Sequence, residues 1–340
     1  MKVSSIELLR PDNVAAMLTL KIDKANFRYS VFLTLISAFL SFVLVLRPFG
    51  PDKDCYNYFL EFQKISDGLQ TRLDFGFEII LQFAYQIGLD FQGFVFAVTA
   101  GSLLLKLLIW SIYPRKIFVL IFYAMVILPI HEYTQIRLAL ALGFAYYGAL
   151  IITKRSSYIY GGVLIAIACS IHLSSIFLLV PIVWHVFGTK KLILSVLLIS
   201  IAAFVAVWVA ENSLIFNVRV SYYLTEGDEN QKIITLQNLA IAILITIGAM
   251  NFRQVTASGV SGWYIFSAVS FVTSILLTVQ IPIVAGRVLE LSFLSYMLWI
   301  YALRGIAQQA AISLSFVWAA YILYRYIFVD LTFSGLECPL

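Results

Sequence analysis

Charge is scarce in this chain. Only 12% of its 340 residues are Asp, Glu, Lys or Arg, where an ordinary soluble domain has about a quarter. With 61% hydrophobic residues and a mean hydropathy of +0.93, that scarcity excludes a soluble globular protein and points to a polytopic membrane protein. Cysteine is scarcer still: Cys55, Cys169 and Cys338 have no paired spacing, which argues against a disulfide framework or a zinc site. No His/Cys/Asp cluster has metal-ligand spacing, and there is no phosphate-binding glycine loop or dinucleotide fingerprint, so neither a metal nor an organic cofactor is expected. The net charge of +5 sits in short loops that set membrane topology, and it gives no reason to expect a nucleic-acid partner. The first 28 residues are polar and interrupted, without the apolar core of a cleavable signal, and read as a cytoplasmic arm.

What the chain has in quantity is aromatic residues (19 Tyr, 27 Phe and 6 Trp), many at predicted helix ends, as an interfacial belt requires. It also has long apolar runs. Tyr29–Leu46, Phe91–Ile112, Ile117–Ile130, the run from Arg137 to Ile152, Leu192–Ala210, Ile233–Met250, Gly262–Ile281, Val288–Leu303 and Ala311–Val329 read as spans. Two stretches are irregular. Phe75–Ile87 is short of the ~20 residues a full crossing needs and reads as a re-entrant or interfacial helix near 75–87. Tyr158–Phe187 is too long for one span and short for two; with Ser170-Ile171-His172-Leu173-Ser174-Ser175 in its middle it reads as a short helical hairpin with His172 at the turn or in the first helical turn after it. The expected fold is an all-α polytopic membrane protein of roughly 10–12 transmembrane or half-membrane helices. Its organisation is a cytoplasmic arm (1–28), a single transmembrane catalytic domain (29–330) and a short C-terminal tail (331–340).

Orientation follows from the positive-inside rule. With the arm inside and Phe75–Ile87 not crossing, the loops bearing Arg115/Lys116, Lys154/Arg155, Lys190/Lys191, Arg253 and Arg304 all fall on the cytoplasmic side. Most acidic residues then lie outside, together with Arg47, Arg72, Arg137, Arg219 and Arg287. The first polar segment, Arg47–Asp74, reads as an exterior loop.

The chemistry gathers on that exterior side. Arg137 enters an apolar helix, where a charge costs about 2.5–3.5 kcal/mol on translocon scales. It is either a snorkelling side chain at a helix end or an anion clamp facing a cavity. Arg287 has Glu290 three residues on, so an ordinary ion pair competes with a role in the same clamp. Two guanidinium groups on one wall suit a phosphate or pyrophosphate, because the planar fork binds oxygens in pairs. His172 is either a helix–helix hydrogen bonder or a proton acceptor. Asp74 and Glu78, four residues apart, share one face of the short helix, as a solvated helix start or as catalytic carboxylates.

Four segments resemble a known family. Gly50-Pro51-Asp52-Lys53-Asp54-Cys55-Tyr56-Asn57-Tyr58-Phe59-Leu60-Glu61-Phe62 is similar to the G-x-D-x-x-x-Y-x-x-x-F segment of EpsG-like, Wzy-type polysaccharide polymerases, with Asp54, Tyr58 and Phe62 in matching places. Asp74-Phe75-Gly76-Phe77-Glu78 resembles that family's E-P-G-Y-E segment, with Asp for the first Glu and Phe for Pro. Ile136-Arg137-Leu138-Ala139-Leu140-Ala141 resembles its I-R-Q-x-x-A helix start, with Leu138 for Gln, and Ile171-His172-Leu173-Ser174-Ser175 resembles its F-H-x-S-A segment. The resemblance covers most of residues 30–330.

The resemblance implies an enzyme of the bacterial inner membrane, N-terminus cytoplasmic and active site facing the periplasm. It would join O-antigen, capsule or exopolysaccharide repeat units. The growing chain on undecaprenyl pyrophosphate is the expected donor, a lipid-linked repeat unit the acceptor, and a chain-length-regulating co-polymerase a suggested partner. Arg137 and Arg287 would then bind the pyrophosphate. His172, Glu78 and Asp74 compete as the proton acceptor, and Asp54 and Tyr58 would contact sugar. The alternatives are an O-antigen ligase or modifying glycosyltransferase, and a transporter or flippase for lipid-linked sugars. Against the last, polar residues gather on one side and no internal repeat is visible.

Overall fold

A computed structural model describes residues 32, 35–36, 38–42, 53–111, 121–188, 235–278 and 282–325. The arm 1–28, most of Tyr29–Leu46, the Arg115/Lys116 and Lys190/Lys191 loops, Leu192–Ala210, the polar segment Glu211–Lys232 with Arg219, and the tail 331–340 lie outside the described residues, as does the side chain of Asp54.

Among the described residues every element is helical. Four helices are long and apolar enough to cross a membrane: Phe91–Ile109, Ile136–Lys154, Ser261–Thr278 and Gly305–Tyr324. The chain is therefore the polytopic membrane protein its composition demands. The helices used below are α1 (Lys53–Ser66), α2 (Phe75–Gln86), α3 (Phe91–Ser111), a wide π-helix (Tyr123–Thr134), α4 (Ile136–Arg155), α5 (Tyr158–Ile171) and α6 (Leu179–Phe187). They continue with α7 (Leu236–Met250), α8 (Phe252–Ala257), α9 (Ser261–Thr278), α10 (Pro282–Leu291), α11 (Phe293–Ile300) and α12 (Gly305–Tyr324).

The first polar segment is not a loop throughout. Cys55, Tyr58, Phe59 and Phe62 recur at i, i+3, i+4 and i+7, and that stripe folds 53–66 as α1 against the short helix. Tyr58 packs 5.7 Å from Phe77, and Phe62 lies beside Phe91 and Phe94. The short helix α2 has 12 residues, about 18 Å of rise against a ~30 Å hydrocarbon layer. It buries Phe77, Leu81 and Ala84 and leaves Phe75, Ile79 and Phe83 exposed.

α4 is the centre of the bundle. It packs on α3 and runs back to back with α5, where Gly148 and Gly161 let the backbones meet. A Cβ on Gly161 would lie 2.6 Å from the Gly148 carbonyl oxygen, so only a bare backbone fits. The 158–187 segment reverses as expected. α5 ends at Ile171, His172 is extended (φ −152°, ψ 110°), a 3₁₀ turn follows over Leu173–Leu178, and α6 returns to bring His185 near Thr153.

The run Val288–Leu303 is expected as one span but is broken at Ser292 into α10 and α11, with neither Pro nor Gly at the break. Two 3₁₀-type bonds tighten it, Ser292 N–H to Leu289 C=O at 3.0 Å and Ser295 N–H to Ser292 C=O at 2.9 Å. The Tyr146 hydroxyl donates to the Leu291 carbonyl at 2.8 Å. In an apolar interior a carbonyl released from a helix needs such a donor.

Candidate functional site

Asp74 precedes α2, and its carbonyl accepts from Phe77 and Glu78, closing the first turn of that helix. This places its carboxylate at the end of the helix that abuts α5. Gly76 meets Ser170 there: a Cβ would lie 2.3 Å from Ser170 Oγ. Arg137 is the second residue of α4, and its Nη1 lies 3.2 Å from Asp74 Oδ2, with both side chains about a quarter exposed (22% and 25%). Arg137 is thus held by a carboxylate of the short helix. Its Nε is buried and has no hydrogen-bond partner among the described residues.

A second pair lies alongside. Arg287 Nη1 is 3.4 Å from Glu290 Oε2, the helical pair the spacing allowed. The same oxygen accepts from Gln135 Nε2 at 3.2 Å. Gln135 sits in the joint between the wide helix and α4 (φ −118°, ψ 56°), two residues before Arg137. Asp74–Arg137 and Gln135–Glu290–Arg287 therefore hang from one joint.

The remaining predicted residues fall as follows. His172 is half-buried at the α5 break, and its Nδ1 lies 2.8 Å from Ser174 Oγ. Ile171, just before it, shares a core cluster with Phe77 and Ile136, which puts the break at the Asp74–Arg137 end. Glu78 accepts from Gln82 at 3.2 Å on an exposed face. Tyr58 is buried against Phe77 in that same cluster, and Asp54 lies one turn earlier on α1. Among the described residues no group of three or more His, Cys, Asp or Glu is arranged to hold a metal. A small cavity lined by Thr153, Pro181, Trp184, His185, Ser261 and Trp263 opens at the other end of α4.

Sequence reasoning passed over the interior charges. Lys106, sixteenth of the 21 residues of α3, and Glu132, in the last turn of the wide helix, are both fully buried (0% exposed) and form an ion pair. The same Glu132 oxygen accepts from Tyr123 OH, and from Ser102 Oγ at 3.1 Å. Removing one partner of such a pair costs about 3–5 kcal/mol, because the other charge is left uncompensated. His131 is also buried; neither ring nitrogen has a hydrogen-bond partner among the described residues, and Lys106 and Arg287 both act on it electrostatically. The available signal was the charge itself: Lys106 falls inside the apolar α3 span, where an unpaired lysine is costly.

The model of the EpsG family matches residues 30–337. No curated protein and no solved structure matches the chain.

Proposed function

The chain belongs to the EpsG family, and from that premise we propose that it polymerises undecaprenyl-pyrophosphate-linked oligosaccharide repeat units at the outer face of the bacterial inner membrane. The family's association with glycosyltransferase-like polysaccharide polymerases supports an enzyme. The observation that carries the reading is that Arg137, paired with Asp74, and Gln135, bonded to the Glu290 that pairs with Arg287, lie two residues apart at one helix joint of a membrane bundle, in the same region as the His172 break.

In this proposal the lipid diphosphate competes with Asp74 and Glu290 for the guanidinium groups of Arg137 and Arg287. A diphosphate offers more charge and more paired oxygens than a carboxylate, and Arg binds it by its planar fork. As Arg137 turns to phosphate, Asp74 is released as a carboxylate next to the reacting centre. The bond from the anomeric carbon to the diphosphate oxygen breaks, and the acceptor hydroxyl oxygen forms the new glycosidic bond. The hydroxyl proton passes to Asp74, with His172 and Glu78 as the competing acceptors. Undecaprenyl pyrophosphate leaves as an anion held by the two arginines, which do the work of a general acid. Asp54 and Tyr58 on α1 are the proposed sugar contacts, and a co-polymerase that limits chain length is the proposed protein partner.

Purified protein in liposomes, given lipid-linked repeat units, tests the reading. A ladder of longer glycans that Arg137→Ala abolishes supports it. No ladder from the parent protein, or an unaltered ladder from Arg137→Ala, overturns it. A ligase or modifying glycosyltransferase would instead move the glycan to a different acceptor. One observation favours a flippase, the discontinuous helix Pro282–Leu291/Phe293–Ile300, since transporters use broken helices at their sites. Its signature is lipid-linked sugar crossing vesicles without chain growth.

A further inference from the structure

The mechanism above does not use the buried pair Lys106–Glu132. Its geometry is unusual in one respect. Tyr123 and Glu132 are nine residues apart on one helix, yet both reach the same point. Nine residues make about two and a half turns of an α-helix, which would set them on opposite sides. The i→i+5 turns of the Tyr123–Thr134 helix hold more residues each, so the same nine make about two turns and return to one face. The opposing wall is α3, where Ser102 and Lys106, four residues apart, present both donors from a single face. Three donors converge on one carboxylate oxygen; the Tyr123 bond is internal to the wide helix and turns with it, whereas rotating that helix against α3 breaks the Ser102 and Lys106 bonds together.

Beyond Glu132 the backbone has no slack. The Gln135 N–H donates to the His131 carbonyl at 3.0 Å, and the Gln135 carbonyl accepts from Ala139 at 2.8 Å. The azimuth of Glu132 is thereby handed on to Gln135, which reaches Glu290, and to Arg137, which reaches Asp74. Two apolar side chains would fill the same space without burying charge, and the best-attested use of a buried polar group is to fix register. We infer that Lys106 and Glu132 are positioning residues: a pin that fixes the rotation of the Tyr123–Thr134 helix and so aims Gln135 and Arg137 at their partners across the joint.

The inference itself stands on geometry; only its activity arm rests on the polymerase reading. The test uses the full chain in membranes, with Cys55, Cys169 and Cys338 replaced by Ala and with Gln135→Cys and Glu290→Cys joined by a short bifunctional thiol reagent. The parent background crosslinks. Lys106→Met/Glu132→Leu, which replaces the pair by apolar side chains, lowers the crosslink yield at least five-fold while the protein still runs as a monodisperse species in detergent. The reversal Lys106→Glu/Glu132→Lys restores at least half of it, which a merely space-filling role would not do. In the native-cysteine background the apolar double variant lowers kcat/KM for lipid-linked repeat unit at least ten-fold. Parental crosslinking and parental kcat/KM in the apolar double variant overturn the pin. Where the charge variants do not reach the membrane, Ser102→Ala removes one of the two donors that α3 presents to Glu132; a crosslink yield lowered two-fold or more supports the pin, and an unchanged yield overturns it. A parent protein that crosslinks as described but makes no glycan ladder sinks the polymerase reading and leaves this inference in place.

Discussion

Arg137 and Asp74, from helices far apart in sequence, meet with Nη1 and Oδ2 3.2 Å apart. A residue nominated as an anion clamp and one nominated as a base thus hold each other in this structure. Both are only partly exposed, so the pair is neither a screened surface bridge nor a sealed interior one.

Arg137→Ala is expected to lower kcat/KM for polymerisation by about 100-fold or more, the factor seen when one preorganised donor to a developing anion is removed. Arg137→Lys keeps the charge but not the bidentate fork, and is expected to recover only part of that loss. Initial-rate kinetics in liposomes on lipid-linked repeat units check both.

Asp74→Asn separates the competing proton acceptors. If Asp74 takes the hydroxyl proton, kcat falls by about 10²–10⁴ with little change in KM, and His172→Gln and Glu78→Gln keep most of the parental kcat. A kcat lost in His172→Gln and kept in Asp74→Asn moves the role to the imidazole.

Gly76→Ala probes the contact between α2 and α5. Its Cβ would lie 2.3 Å from Ser170 Oγ and 2.7 Å from the Ser170 carbonyl carbon. Overpacking of this kind costs about 1–3 kcal/mol and moves the helix that carries Asp74. Gly162→Ala is the control: nothing lies within 4 Å of its Cβ, and a helix-interior Gly→Ala contributes about 0.5–1 kcal/mol of stability. Thermal unfolding in detergent should separate the two in opposite directions.

Tyr146→Phe removes the hydroxyl that satisfies the Leu291 carbonyl at the α10–α11 break. The ring still stacks on Trp263 at 5.2 Å, so packing is kept. A buried carbonyl left without its donor costs about 1–3 kcal/mol. The expected result is a lower unfolding midpoint with Arg137 chemistry unchanged; an unchanged midpoint means the break does not depend on the tyrosine.

Much of this architecture was legible in the chain. Apolar length gave the long spans, the run Phe75–Ile87 gave the short helix, and the polar interruption around His172 gave the reversal. Arg137, Asp74 and Arg287 were each nominated by chemistry, but the pairing of Arg137 with Asp74 lies in tertiary contact, which no local spacing encodes. α1 was read as loop because Asp52, Asp54, Glu61 and Asp67 distract from the Cys55–Tyr58–Phe59–Phe62 stripe. The Ser292 break has no glycine or proline to announce it; serine hydroxyls bonding back to Leu289 and Ser292 make it. Lys106 was visible as a charge inside an apolar run, whereas Glu132 as its partner depends on a wide helical turn that α-helical periodicity hides.

That wide helix has an evolutionary corollary. Each of its turns stores a surplus residue compared with the ordinary coil, so the loss of one amino acid between Ala124 and His131 can be absorbed by rewinding instead of by unravelling the bundle. Such a deletion would swing the residues downstream around the axis and leave the membrane anchor intact. In this chain, then, single-codon length changes in that stretch are a route by which the direction of Gln135 and Arg137 can be altered separately from the scaffold.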